Sequence, residues 1–151
     1  MAILVPDDLN TLPQKPTPGE KALTDALCAI LDDKWTVYVQ PYLNGLRPDI
    51  IIFCEDAGMG IFEVKDWTPN VHKIQRNKKD GYNWLVRAKD TGKWEKEECP
   101  LKQVDKYRDS IFKYEIPILG SKKILNQKLL SLIQPFVYFH KHKTADINRR
   151  L

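Results

Sequence analysis

The sequence predicts an α/β domain in which a mixed sheet is flanked by helices. Three observations carry this. Apolar residues recur at helical spacing from residue 22 to residue 31, short β-branched and aromatic runs follow between residues 35 and 88, and Pro100 opens a second helical stripe ahead of a last apolar run at 136–140. The resulting order is αβββ…αβ. With 151 residues and an apolar fraction of 42%, the chain has room for one core of ordinary size and one active site.

Residues 1–17 read as an extended lead punctuated by Pro6, Pro13 and Pro16, and residues 18–151 as the folded domain. Thr17-Pro18-Gly19-Glu20 has the form of a capping box, with Pro18 at the first helical position. The helix it opens carries Ala22, Leu23, Ala26, Leu27, Ile30 and Leu31 on one face. A strand is expected at 35–39. The run 47–54 is almost continuously apolar after Asp49, which suits a strand covered on both faces. Glu55-Asp56-Ala57-Gly58-Met59-Gly60 supplies the acids and glycines of a tight hairpin into the next strand, 60–65.

A second hairpin is expected from 71–75 and 82–88, joined through Lys79-Asp80-Gly81, and Trp94 marks a loop or short strand. Leu101, Val104, Tyr107 and Ile111 form the buried stripe of the helix begun by Pro100. The strand 136–140 closes the sheet.

The residues that carry chemistry sit on the two central strands. In Gly60-Ile61-Phe62-Glu63-Val64-Lys65, alternation places Glu63 and Lys65 on one face, roughly 6–7 Å apart, and points Phe62 and Val64 into the core. The charges are thereby expected to leave the packing undisturbed. The hairpin makes the strands neighbours, so Asp49 and Glu63 can converge on one cation. Two hard carboxylates suit Mg²⁺ or Mn²⁺, and a lysine beside them can orient an attacking water and stabilise an oxyanion. This combination points to metal-dependent phosphodiester hydrolysis. A Glu63–Lys65 ion pair without metal is the structural alternative.

At these residues the sequence resembles the PD-(D/E)xK nuclease superfamily, whose acid-x-lysine element matches Glu63-Val64-Lys65. More narrowly, four motifs in order resemble the nuclease-related domain, NERD: Gly19-Glu20, Arg47-Pro48-Asp49, Phe62-Glu63-Val64-Lys65-Asp66-Trp67 and Pro100-Leu101-Lys102-Gln103. The resemblance runs from about Pro18 to Phe139. It implies a restriction-endonuclease-like αβββαβ core, with Asp49, Glu63 and the Val64 carbonyl as ligands of Mg²⁺ or Mn²⁺ and Lys65 positioning water. Glu20 and Gln103 match accessory catalytic positions; capping at Glu20 and a solvated first turn at Gln103 remain open beside those roles. After Trp67 the chain has Thr68-Pro69-Asn70 where family members often carry a glycine. The resemblance further implies a DNA substrate and fusion to or association with a helicase as the N-terminal module of a larger protein, and it leaves room for a homodimer. A non-catalytic nucleic-acid-binding or interaction module on the same fold is the competing expectation.

Composition bounds the remaining classes. No apolar run reaches membrane-spanning length and residues 1–8 lack a signal-peptide pattern, so a cytoplasmic location without membrane contact is expected. Cys28, Cys54 and Cys99 are odd in number and widely spaced, which argues for reduced thiols. His72, His140 and His142 lack the clustered partners of a zinc site. The net charge of +4 is modest, but Lys73, Arg76, Lys78, Lys79, Arg87 and Lys89 interleave with Tyr82 and Trp84, and Lys141, Lys143, Arg149 and Arg150 gather near the end. Such stretches can follow phosphates and stack bases; they are also common on solvated faces. Neither a phosphate-binding Gly-Lys-Ser/Thr loop nor a dinucleotide fingerprint occurs.

Overall fold

The computed structural model describes residues 1–68, 70–77, 81–115 and 131–142. Strand β1 (Ile3–Val5) and a short 3₁₀ turn precede helix α1 (Pro18–Ile30). Strands β2 (Thr36–Val39), β3 (Ile50–Cys54) and β4 (Gly58–Lys65) follow, then β5 (His72–Asn77), β6 (Gly81–Arg87) and β7 (Trp94–Glu97). Helix α2 (Pro100–Ser110) widens into a π turn at Ile111–Glu115, and β8 (Ile133–Phe139) comes last. The larger sheet has the order β1-β2-β3-β4-β8, and β5-β6-β7 form a second sheet. Pairing is parallel for β1–β2 and β4–β8 and antiparallel for β2–β3 and β3–β4, so the sheet is mixed as the sequence predicts.

The stretch read as an extended lead supplies an edge strand. Ile3, Leu4 and Val5 pair with Thr36, Val37 and Tyr38, and Ala2 is buried against the core. The β3–β4 hairpin turns through Glu55, Asp56 and Ala57, and Gly58 takes φ +106°, a conformation that only glycine adopts at little cost. Gly58 also meets the Leu132 carbonyl so closely that a Cβ would lie 2.6 Å from it. Strand β8 begins three residues earlier than the expected 136–140 and includes Pro135. A proline is tolerated there because, among the described strands, β8 is the sheet's edge and one side of its backbone needs no ladder donor.

Both faces of the larger sheet are covered. Ile51, Ile61 and Ile133 pack with Val104, Tyr107, Ile111 and Phe112 of the α2 region. On the other face Val37, Val39, Ile50 and Val64 pack against Leu23, Leu27 and Leu31 of the α1 region. This corrects the expectation that the charged face of β4 stays clear of the packing. Glu63 alternates with Ile61, faces α2, and is only 4% exposed. A second correction concerns α2, whose Leu101 is 50% exposed while Val104, Tyr107 and Ile111 are buried. Leu101 lies in the first turn, beyond the edge of the sheet-facing stripe.

The second sheet extends the expected hairpin by a third strand at Trp94–Glu97; the connecting residues 78–80 lie outside the described residues, as do Pro69, Lys143, Arg149 and Arg150. Trp67, buried just after β4, stacks on His72 at 4.8 Å and meets Trp84 and Phe139, which joins the two sheets through one aromatic cluster. The turn after Trp67 is closed by Thr68, whose carbonyl accepts from the Val71 and His72 amides and whose own amide donates to His72 Nδ1. Among the described residues no helix is long and apolar enough to cross a membrane.

The two positions at which sequence and packing diverge give a direct comparison. Ile61→Ala, at a fully buried site, should lower unfolding free energy by about 2–5 kcal/mol, whereas Leu101→Ala should change it by no more than about 0.5 kcal/mol, both read by urea denaturation.

Candidate active site

Asp49 stands one residue before β3, and extending the register of Ile50 opposite Phe62 by one step sets it across from Glu63. Its Oδ2 accepts the Val64 amide at 2.7 Å, and its carbonyl accepts the Gln40 amide at 2.7 Å. Burial, reinforced by the neighbouring Glu63 charge, pushes the Asp49 carboxyl up from 3.8 to about 7. Glu63 is raised for the same first reason, and Lys65 opposes that rise.

Lys65 Nζ lies 2.8 Å from Glu63 Oε1 and 3.4 Å from Gln103 Oε1. An ammonium has three donors, so these contacts leave one to spare. Gln103 sits in the first turn of α2 and its amide donates to the Tyr107 hydroxyl at 2.8 Å, one helical turn on. Burial and the charges of Glu63 and Asp49 hold the Tyr107 phenol well above its ordinary range, in the neutral form. The sequence placed Tyr107 in a buried stripe; its polar end at the site has no signal in the spacing.

Glu20 completes the capping box: Thr17 N donates to its Oε2 and its own amide donates to Thr17 Oγ1, each at 3.2 Å. The same Oε2 accepts Gln40 Nε2 at 2.8 Å, and Gln40 Oε1 accepts from Arg47 at 2.9 Å. A buried polar chain thus runs from the start of α1 to Arg47, two residues before Asp49. Its centre, Gln40, is buried with φ +49°, an uncommon conformation for a side chain larger than glycine. The sequence singled out neither Gln40 nor this chain, because its members are 20 and 7 residues apart and lie on different elements.

Asp66 and Gly19 tie the same N-terminal end of α1 to the residue that follows β4. The Gly19 amide donates to Asp66 Oδ2 at 3.1 Å, and a Cβ at residue 19 would sit 2.9 Å from both carboxylate oxygens and from His140 Cβ. The glycine of the Gly19-Glu20 motif is therefore required for close approach of the helix N-terminus to the acid, where the helix dipole favours a negative charge.

The structure brings Asp49, Glu63, Lys65 and Gln103 into one neighbourhood, with the Glu20 charge close enough to raise both acids. Among the described residues no group of three or more histidines, cysteines, aspartates or glutamates is arranged to hold a metal ion. Two carboxylates do suffice for Mg²⁺, which keeps several waters. Glu63 Oε2 is buried without a hydrogen bond of regular geometry, the Tyr107 hydroxyl being the group that interacts with this carboxylate, and an all-oxygen pair with its charge only half offset by Lys65 suits a hard divalent cation.

The Asp49 environment sets a pH dependence. An acid whose pKa is raised on folding destabilises the folded state increasingly as pH rises between its unfolded and folded values, at about 1.4 kcal/mol per unit. Wild-type stability in chelator should therefore fall between about pH 4 and about pH 7, and Asp49→Asn should remove the Asp49 share of that fall while the raised Glu63 keeps its own. Thermal unfolding at about pH 5 and about pH 8 should show the variant gaining on the wild type at the higher pH, and added Mn²⁺ should stabilise only the wild type.

The model of the nuclease-related domain (NERD) family matches residues 15–140, from the approach to the capping box through the end of β8. No curated protein and no solved structure matches the chain at a significant level. The match takes in the acid before β3, the acid-x-lysine of β4 and the first turn of α2, and the mixed α/β architecture is compatible with a restriction-endonuclease-like fold; the chain belongs to the nuclease-related domain family.

Proposed function

We propose that this protein is a divalent-metal-dependent nuclease domain that hydrolyses DNA phosphodiester bonds. The observation that carries the reading is the pair of buried acids set across from each other on neighbouring strands, Asp49 raised to about 7 and Glu63 raised with it, beside a lysine with a donor to spare. Asp49, Glu63 and the Val64 carbonyl would hold Mg²⁺ or Mn²⁺. The ion would neutralise charge on the phosphate and ease deprotonation of water.

The chain's own groups account for the rest of the chemistry. The Val64 amide fixes the Asp49 carboxylate so that one oxygen is committed and the other is left to bind. Lys65, held by Glu63 and Gln103, points a donor at the attacking water and at the negative charge that develops on phosphate. Gln103 is braced by Tyr107 and so presents its carbonyl oxygen toward Lys65. Glu20 keeps one oxygen in the cap and the Gln40 contact and acts on the acids through its charge.

One observation favours a second reading, a nucleic-acid-binding module without catalysis: Glu63 and Lys65 already neutralise each other in part at 2.8 Å. Supercoiled plasmid separates the two. With Mg²⁺ or Mn²⁺ the wild type should nick it, and Glu63→Ala and Lys65→Ala should each lose about 100-fold or more in rate with unchanged circular dichroism. Undiminished cleavage in both variants would remove the assignment, and metal-independent DNA binding without cleavage would establish the non-catalytic reading.

A further inference from the structure

The second sheet sorts its charges by face. Directly paired residues project to the same side, so the rows Lys73–Leu85–Lys96 and Arg87–Trp94 share one face with Gln75 and Asn83. The opposite face carries Trp84 and His72, which pack on Trp67, together with both acids of β7, Glu95 and Glu97. Every charged strand position on the outward face is thus a cation. A sequence reading that pooled the basic and aromatic residues of this region mixed the two faces: Tyr82, Trp84 and Arg76 belong to the inner one.

A contact also spans the outward face from one edge to the other. Lys73 Nζ reaches across β6 to lie 4.2 Å from the centroid of the Trp94 ring, and Leu85, in the row between them, is buried. Lys96 and Arg87 are exposed, and Trp94 remains 39% exposed. With strands about 4.8 Å apart, cations on the outer two strands lie about 10 Å from each other, near one Debye length, and act as one positive field.

We infer that this face binds the phosphate backbone of a DNA strand, with Lys73 and Lys96 contacting phosphates and Trp94 offering a ring to a base. Charge complementarity favours a polyanion, and the Gln75 amide suits sugar and phosphate oxygens. The sheet is joined to the end of β4 through Trp67, which lies two residues after Lys65 and packs on the sheet's opposite face. The inference rests on the reading of the candidate active site as acting on DNA.

The test is fluorescence anisotropy of a labelled single-stranded oligonucleotide in chelator, titrated across salt concentrations. Arg87 also donates to the Gly92 carbonyl, so the lysines are the cleaner targets, and threonine suits their strand positions. Lys96→Thr should lower the salt slope by about 0.7, and Lys73→Thr/Lys96→Thr by about 1.4 with about tenfold weaker binding near physiological salt. Arg76→Thr removes one cation from the inner face and should leave the slope unchanged. Absent binding by the wild type, a slope retained in the double variant, or equal loss in Arg76→Thr would overturn the proposal. Binding in chelator is read without cleavage, so an inactive centre leaves this measurement intact, and a cutting protein whose lysine variants bind normally loses only the surface.

Discussion

The hydrogen bond from the Val64 amide to Asp49 Oδ2 fixes the geometry on which the site depends. It links the residue before one central strand to the backbone of the next, between Glu63 and Lys65. Without it, two acids on adjacent strands would be free to swing apart, since their charges repel and burial favours neither ionised form. With it, one carboxylate oxygen is committed and the acids stay neighbours. The cost shows in the raised Asp49 and Glu63, each lifted first by its burial.

That arrangement is sustained by helices on both sides of the sheet. Helix α2 covers the Ile61–Glu63 face and brings Gln103 and Tyr107 down on the charged residues, while α1 is pinned twice near its start, by Glu20 to Gln40 and by Gly19 to Asp66. The capping box that starts α1 is therefore also a strut between the helix and the site. Capping and electrostatic action at Glu20 are compatible, because the cap takes one oxygen and the charge still acts on Asp49 and Glu63.

Much of this was legible in order and spacing. A strict two-residue alternation in β4 put Glu63 and Lys65 together, the acidic and glycine-bearing link made β3 its partner, and Thr17-Pro18-Gly19-Glu20 announced a cap that forms. Other features were not legible. Burial of Glu63 followed from a second layer of packing that alternation cannot report, and the early start of β8 was hidden by Pro135, which reads as a breaker unless the strand is known to lie at an edge. Leu101 fits a helical stripe by number yet falls outside the covered arc.

The sequence by itself determined most of the local elements and the residue types gathered at the candidate site, because backbone propensity, side-chain alternation and capping act over a few residues. It also determined family membership, which resides in motif order. Only the tertiary structure decided which groups share an environment: the Glu20–Gln40–Arg47 chain, the Gly19–Asp66 approach, the Tyr107 brace and the division of charge between the two faces of the second sheet. Each of these joins residues on separate elements, and their meeting depends on how layers pack, which no short-range rule encodes.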